Sequence, residues 1–241
     1  MTPRIPLYEG KAKIIYATED PSVLLTYFKD DATAFNAQKR GQIQGKGEMN
    51  CTIATHLFQY LEASGIPTHW LAQTSSREMR VRAVSIIPIE VVVRNIAAGS
   101  LCKQTGLDLG TVLADPLVEF YYKNDALGDP LLTDDRLRLM NLASPEQVET
   151  LRSLARRINQ LLIPFFQDCH ITLVDFKLEF GTIADGTIIL ADEISPDTCR
   201  LWDQTETDPQ ARVMDKDRFR QDLGQVEAAY QRVLDRILHK A

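Results

Sequence analysis

The chain has 241 residues, 44% hydrophobic and 25% charged, a composition that excludes disorder and suffices for one large domain or two small lobes. A formal net charge of -6 argues against a basic groove for nucleic acid, so any anion must be met by local clusters of Lys and Arg. Cys51, Cys102, Cys169 and Cys199 form no CxxC pair and read as reduced thiols, and no stretch reaches the ~18 apolar residues of a membrane span. With no apolar leader core at the N-terminus, the expectation is a cytoplasmic protein without a membrane partner.

Strands are predicted first, over Gly10 to Tyr16 and Val23 to Phe28, and again over Ile86 to Val93. Between them, Met49, Ile53, Leu57, Tyr60 and Leu61 recur at helical spacing, so a helix is predicted from Gly47 to Ala63, stopped by Gly65 and Pro67. The clearest helix starts at Ser144, which can form a capping box with Gln147 while Pro145 sits where a missing N–H does no harm. Pro164 is expected to kink or end it. A hairpin follows, Ile171 to Phe180 and Thr187 to Glu193 joined through Asp185-Gly186, and an amphipathic helix from about Asp217 to Leu238 closes the chain. This order reads as α+β, with two lobes meeting near Ser85 to Pro88.

No GxxxxGK[ST] or GxGxxG motif is present, so a nucleotide site must be built in another way. Lys11 and Lys13, two apart beside Gly10, would project from one face of a strand and could hold triphosphate oxygens; the alternative is a solubilising surface. Val91-Val92-Val93 runs into Arg94, and the small residues Ala97-Ala98-Gly99-Ser100 allow a backbone to approach an anion that Arg94 and Ser100 would share. A surface ion pair is the alternative for Arg94, as for Arg200 and Arg220. Alternation places Val174, Phe176, Leu178 and Phe180 on one strand face and Asp175, Lys177 and Glu179 on the other.

If Asp185-Gly186 is a two-residue turn, Ala184 pairs with Thr187 and Glu179 lies opposite Asp192. Cβ atoms about 4.5–5.5 Å apart would then make the two carboxylates repel, and Mg²⁺ between them would relieve it. A three-residue loop with a bulge would shift that pairing by one. His56, His69, His170 and His239 show no ligand spacing and read as structural or exposed, and no Ser/His/Asp or Cys/His arrangement is visible.

Taken in order, Tyr8–Lys13, Asp30-Asp31-Ala32-Thr33-Ala34-Phe35-Asn36, Val93–Ser100, Val174–Gly181, Asp192–Asp203 and Met214–Arg220 resemble the motif series of the SAICAR synthetases, the phosphoribosylaminoimidazole-succinocarboxamide synthases of purine biosynthesis. The resemblance implies a two-lobed α+β fold related to ATP-grasp enzymes, with antiparallel sheets and flanking helices: an ATP-binding lobe over residues 1–85 and a lobe carrying metal and substrate sites over 86–241. It implies ligation of L-aspartate to the carboxylate of 5-amino-1-(5-phosphoribosyl)imidazole-4-carboxylate (CAIR), giving SAICAR, ADP and phosphate through an acyl phosphate. Carried over by motif, Gly10, Lys11, Ala12, Lys13, Lys123 and Glu179 would hold ATP, and Glu179 with Asp192 would bind Mg²⁺. Arg94, Ser100, Arg200, Arg220, Asp197 and Asp31 would contact substrate, and the catalytic roles would fall to Asp175 and Lys177. A small-molecule or lipid kinase on the same scaffold would share the lysines and acids but not the arginine set, whereas a non-enzymatic nucleotide-binding module is disfavoured by the presence of Lys11, Lys177, Glu179 and Asp192 together. A homodimer is the expected assembly by base rate.

Overall fold

The computed structural model describes residues 4–34 and 38–240, so Phe35 and Asn36 of the second motif block lie outside the described residues. Strands β1 (Pro6–Glu9), β2 (Lys13–Ala17) and β3 (Val23–Phe28) are followed by a two-stranded ribbon of β4 (Asp31–Ala34) and β5 (Lys39–Gln42). Helix α1 (Lys46–Ala63) leads to β6 (Trp70–Ser75) and β7 (Glu78–Arg82), which complete an antiparallel five-stranded sheet ordered β1-β2-β3-β7-β6. After β8 (Ser85–Ile96) come α2 (Ser100–Thr105), β9 (Val112–Tyr122), β10 (Leu131–Leu132), α3 (Asp134–Leu139) and α4 (Pro145–Asp168). The long β11 (Ile171–Thr182), β12 (Ile188–Ala191) and β13 (Cys199–Asp203) then finish a six-stranded sheet, and α5 (Asp217–Arg220) and α6 (Val226–Leu238) end the chain. No helix among the described residues is long and apolar enough to cross a membrane.

Strand β11 organises this second sheet. Strand β8 pairs along one edge, while the other edge is shared by β13 near its start and β12 near its end. The β12–β13 connection therefore passes over the middle of β11, where the amide of Lys177 donates to the carbonyl of Thr198 at 2.8 Å. A single contiguous core runs through both sheets and the helices: Phe28, Leu57, Ile89, Phe176, Leu190 and Val233 all belong to it. The amide of His69 donates to the carbonyl of Leu190 at 2.8 Å, tying the segment before β6 to β12.

Several expectations are corrected. Lys11 is not on a strand with Lys13: Gly10 to Ala12 form the β1–β2 turn, and the amide of Gly10 donates to the carbonyl of Lys13 at 2.8 Å. Helix α4 opens with the predicted Ser144–Gln147 capping box but runs through Pro164 to Asp168. Phe165 and Phe166, both buried, lie beyond the proline; burying each is worth about 1.5–3 kcal/mol, which offsets a helix proline's cost of about 3 kcal/mol. The closing helix is two, because Asp222, Gly224 and Gln225 all take positive φ between α5 and α6.

The alternation along β11 also breaks. The β11–β13 ladder skips Val174, pairing Leu173 with Leu201 and Asp175 with Arg200. This bulge changes the phase, so Ile171 and Leu173 share the main core with Phe176, Leu178 and Phe180. Val174 instead joins a separate cluster with Ala98, Trp202 and Val213.

Candidate active site

The hairpin register differs from the expectation by one residue. Glu179 pairs with Ala191, not Asp192, because the loop has three residues: the amide of Ile183 donates to the carbonyl of Thr187 at 3.0 Å and that of Gly186 to Ile183 at 2.9 Å. Gly186, at φ 87°, occupies the left-handed position that such a loop needs. Continued alternation would turn Asp192 away from Glu179. It does not, because the strand ends at Ala191 and Asp192 itself takes φ 62°, turning the chain so that its carboxylate comes back to Lys177 at 3.6 Å.

Acids and lysines interleave at this point. Lys177 Nζ donates to Glu179 at 2.5 Å and to Glu90 at 3.0 Å, bridging two carboxylates that β8 and β11 set directly opposite one another. Lys123 bonds the other Glu179 oxygen. Lys13 bonds Asp192 and reaches Glu193 at 2.9 Å. Burial works against the charge on Lys177, but Glu179, Asp192 and Glu90 outweigh it and raise its pKa well above the usual lysine value. Burial likewise opposes the charge on Asp192, yet Lys13, Lys177 and Lys123 hold the carboxyl well below the usual range. Among the described residues, no group of three or more His, Cys, Asp or Glu is placed to cage a metal.

These groups line a cavity of about 470 Å³ whose apolar lining comes from Ile15, Leu24, Val81 and Ile86, and the Gly10–Lys13 turn lines it too. A second cavity, of about 320 Å³, is lined by Arg94, Asp175, Arg200 and Arg220. The two share Lys11, Glu90, Lys177, Asp197, Thr198 and Lys216.

Arg94 is a buried hub, not a surface ion pair. Its Nε donates to Glu119 at 2.7 Å, Nη1 to Asp175 at 2.9 Å, and Nη2 to Ser100 at 3.0 Å and to Tyr121 at 3.2 Å. Asp175 sits opposite it in the β8–β11 ladder and accepts from Arg200 Nη1 at 2.8 Å with the same oxygen. Arg200 also donates from Nε to Asp217 at 2.7 Å, and Asp217 accepts from Arg220. Burial alone would raise the Asp217 carboxyl, but Arg200 and Arg220 lower it. Gly99, at φ 56°, makes room for this network: a Cβ there would lie 2.4 Å from Arg200 Nη2. The small residue thus admits a protein guanidinium.

A family model described as SAICAR synthetase matches residues 6–237. The chain belongs to the SAICAR synthetase family. A phosphoribosylaminoimidazole-succinocarboxamide synthase from Picosynechococcus sp. is 71% identical over 231 residues, covering 96% of this chain and 92% of that protein. The crystal structure of the synthase from Ehrlichia chaffeensis superposes with TM-score 0.93 at 42% identity, covering 97% of this chain and 98% of that one. A SAICAR synthetase solved in complex with ADP superposes with TM-score 0.91 at 42% identity, covering 95% and 96%.

Most of the motif residues of this family member converge, and a few do not. Ser100 begins α2 and reaches the second cavity only through its bond to Arg94. Asp31 lies on β4, where Lys29 pairs with it at 2.9 Å and Gln42 donates to it, and it lines neither cavity. Asp197 does line both cavities, but its oxygens are taken by Lys46 and the Tyr230 hydroxyl, each at 2.7 Å. Burial opposes that charge too, and Lys46 and Lys216 still hold the carboxyl well below the usual range. Lys11 pairs with exposed Asp125 at 2.5 Å. The motif reading missed Glu90, Glu119, Tyr121, Lys46 and His69. A charge inside the apolar run Ile86 to Val93 was a visible signal for Glu90; partners of Arg94 on β9 depend on strand pairing, which no local pattern displays. His69 is buried, lines the larger cavity, and is lowered to about 4, first by burial and then by Lys13.

Proposed function

We propose that this carbon–nitrogen ligase joins L-aspartate to the carboxylate of CAIR at the expense of ATP, releasing SAICAR, ADP and phosphate. The observation that carries this reading is the meeting of two chemically different cavities, one lined by apolar residues together with lysines and acids, the other arginine-lined, across a shared strip. The first suits a nucleotide: a base against Ile15, Leu24, Val81 and Ile86, and phosphates toward Lys11, Lys13 and Lys123. The second suits an anion bearing phosphate and carboxylate, for which planar guanidinium forks are matched. In this reading the larger cavity belongs to an N-terminal nucleotide lobe and the smaller to a C-terminal substrate lobe.

A carboxylate resists amines because it is anionic and its oxygen leaves poorly; phosphorylation removes both obstacles. Asp175 fixes Arg94 and Arg200 in one orientation, pre-arranging the donors that would receive CAIR. Lys177, between the cavities, faces the carboxylate undergoing activation and offsets charge as it develops. Glu179 and Asp192, two hard oxygen donors converging on Lys177, fit a Mg²⁺ held partly by nucleotide phosphates, the usual arrangement for an ion seldom caged by protein alone. Bound there, Mg²⁺ would neutralise phosphate charge. Ser100 would complete the phosphate contacts, and the proposed assembly is a homodimer.

Coupled ADP production with each substrate omitted in turn tests the reading. ADP release should require ATP, CAIR and L-aspartate together; steady release with CAIR replaced by a simple alcohol would instead indicate a kinase.

A further inference from the structure

Lys216 lines both cavities, on the strip where a nucleotide phosphate and a substrate carboxylate would meet. The other cations of that strip and its flanks are engaged. Lys11 pairs with Asp125, Lys13 with Asp192 and Glu193, Lys123 with Glu179, and Lys177 with Glu90 and Glu179. Arg94, Arg200 and Arg220 are held by Asp175, Glu119 and Asp217. Among the described residues, Lys216 alone of the cations lining both cavities makes no ion pair or side-chain hydrogen bond. Its backbone is fixed, the amide donating to the carbonyl of Pro196 at 3.1 Å and its own carbonyl accepting from Arg220 at 3.0 Å.

Half-buried and bonded to no protein acceptor among the described residues, the Lys216 ammonium keeps its donors for an anion that enters the strip. Burial is the largest influence and lowers the Lys216 pKa; Asp197 pulls it back up, and Arg220 and Lys46 then lower it further against the smaller pull of Glu193. An incoming anion would reverse that balance, so the side chain is built to gain more from the loaded site than from the empty one.

We propose that Lys216 is a further catalytic residue, one whose ammonium contacts the phosphoryl group as it passes from the nucleotide to the substrate carboxylate. The inference rests on the ligase reading given above. In the first step, a carboxylate oxygen bonds to the γ phosphorus as the bond from that phosphorus to the β,γ-bridging oxygen breaks, and ADP leaves with the electron pair. In the second, the aspartate nitrogen bonds to the acyl carbon and the C–O bond to phosphate breaks. Of the two protons lost by the aspartate ammonium, one leaves on hydrogen phosphate and the other goes to solvent. Lys216 spans both steps because the group it holds is the same: first a transferring phosphoryl, then a departing phosphate.

The test uses wild type, Lys216→Met and Lys216→Arg with ATP, CAIR and L-aspartate, alongside ADP and CAIR affinities and thermal midpoints. Lys216→Met should lower kcat by about 10²–10³, the loss typical of one removed transition-state donor, while ADP and CAIR still bind and the thermal midpoint holds or rises. Lys216→Arg should recover part of kcat, because the charge returns in a different shape. Unchanged kcat in Lys216→Met overturns the inference while leaving the ligase reading intact. Loss of binding and thermal stability in both variants overturns it in favour of a structural lysine. A wild-type protein that makes no SAICAR overturns both readings.

Discussion

Arg94 spends four hydrogen bonds on protein side chains, so its value lies in orientation as much as in charge. Arg94→Lys keeps the charge but cannot reach Glu119, Asp175, Ser100 and Tyr121 at once. Losing one charge-assisted bond, worth about 1.5–3 kcal/mol, corresponds to roughly a 10- to 150-fold fall in kcat/KM for CAIR at 1.36 kcal/mol per decade. Steady-state kinetics should show that fall with the KM for ATP little changed; equal losses for both substrates would mean that the fold had failed instead. The residues of this cluster were legible as motif blocks, and Arg94, Asp175, Lys177 and Arg200 do converge. Their partners were not. Glu119 and Tyr121 are visible only through the β8–β9 ladder, and the surface ion pair considered for Arg94 gave way to burial inside a network.

At the scale of elements, capping and periodicity fixed what was local. The Ser144 capping box and the apolar stripe of α1 were readable because each is decided within a turn or two of chain. The β11 bulge at Val174 and the three-residue hairpin loop were not, since either register of that loop satisfies the same apolar pattern over four paired positions. Asp192 reaches the site by its left-handed backbone and not by pairing, which explains how a wrong register still led to the right neighbourhood. Gly186 offers a clean check on this loop. A Cβ there meets nothing within 4 Å, so Gly186→Ala carries only the cost of a non-glycine at φ 87°, about 1–2 kcal/mol. Urea denaturation should register that loss while turnover holds. A collapse of turnover would show that the loop, and not the Asp192 backbone, sets the carboxylate's position.

Across the whole molecule, the two sheets share one core, and α6 returns to α1, where the Tyr230 hydroxyl meets Asp197 near the Lys46 ammonium. Chain order alone suggested lobes but could not show that the last helix closes on the first. Two buried groups give this assembly a pH signature. His69 titrates at about 4 in the fold because burial, then Lys13, disfavours its cation; its unfolded value is 6.5. The unfolded chain therefore takes up the proton first, so the His69 contribution is complete above 6.5 and is lost as pH falls toward about 4, a span worth about 3 kcal/mol. Asp215 has the opposite sign: burial, then Asp217, raises it from 3.8 to about 7, so the fold gains stability as pH falls through the same window. Wild type should accordingly show a shallow profile between about pH 7 and about pH 5, whereas His69→Phe should grow more stable relative to wild type as pH falls. Parallel urea midpoints for the two proteins across that range would contradict the assignment.

The activation of a carboxylate by phosphate transfer is the central claim, and an isotope label follows it directly. CAIR carrying ¹⁸O in its carboxylate, turned over with ATP and L-aspartate, should deliver one labelled oxygen to each phosphate released, since the acyl C–O bond is the one that breaks. Unlabelled phosphate formed together with SAICAR would contradict the account.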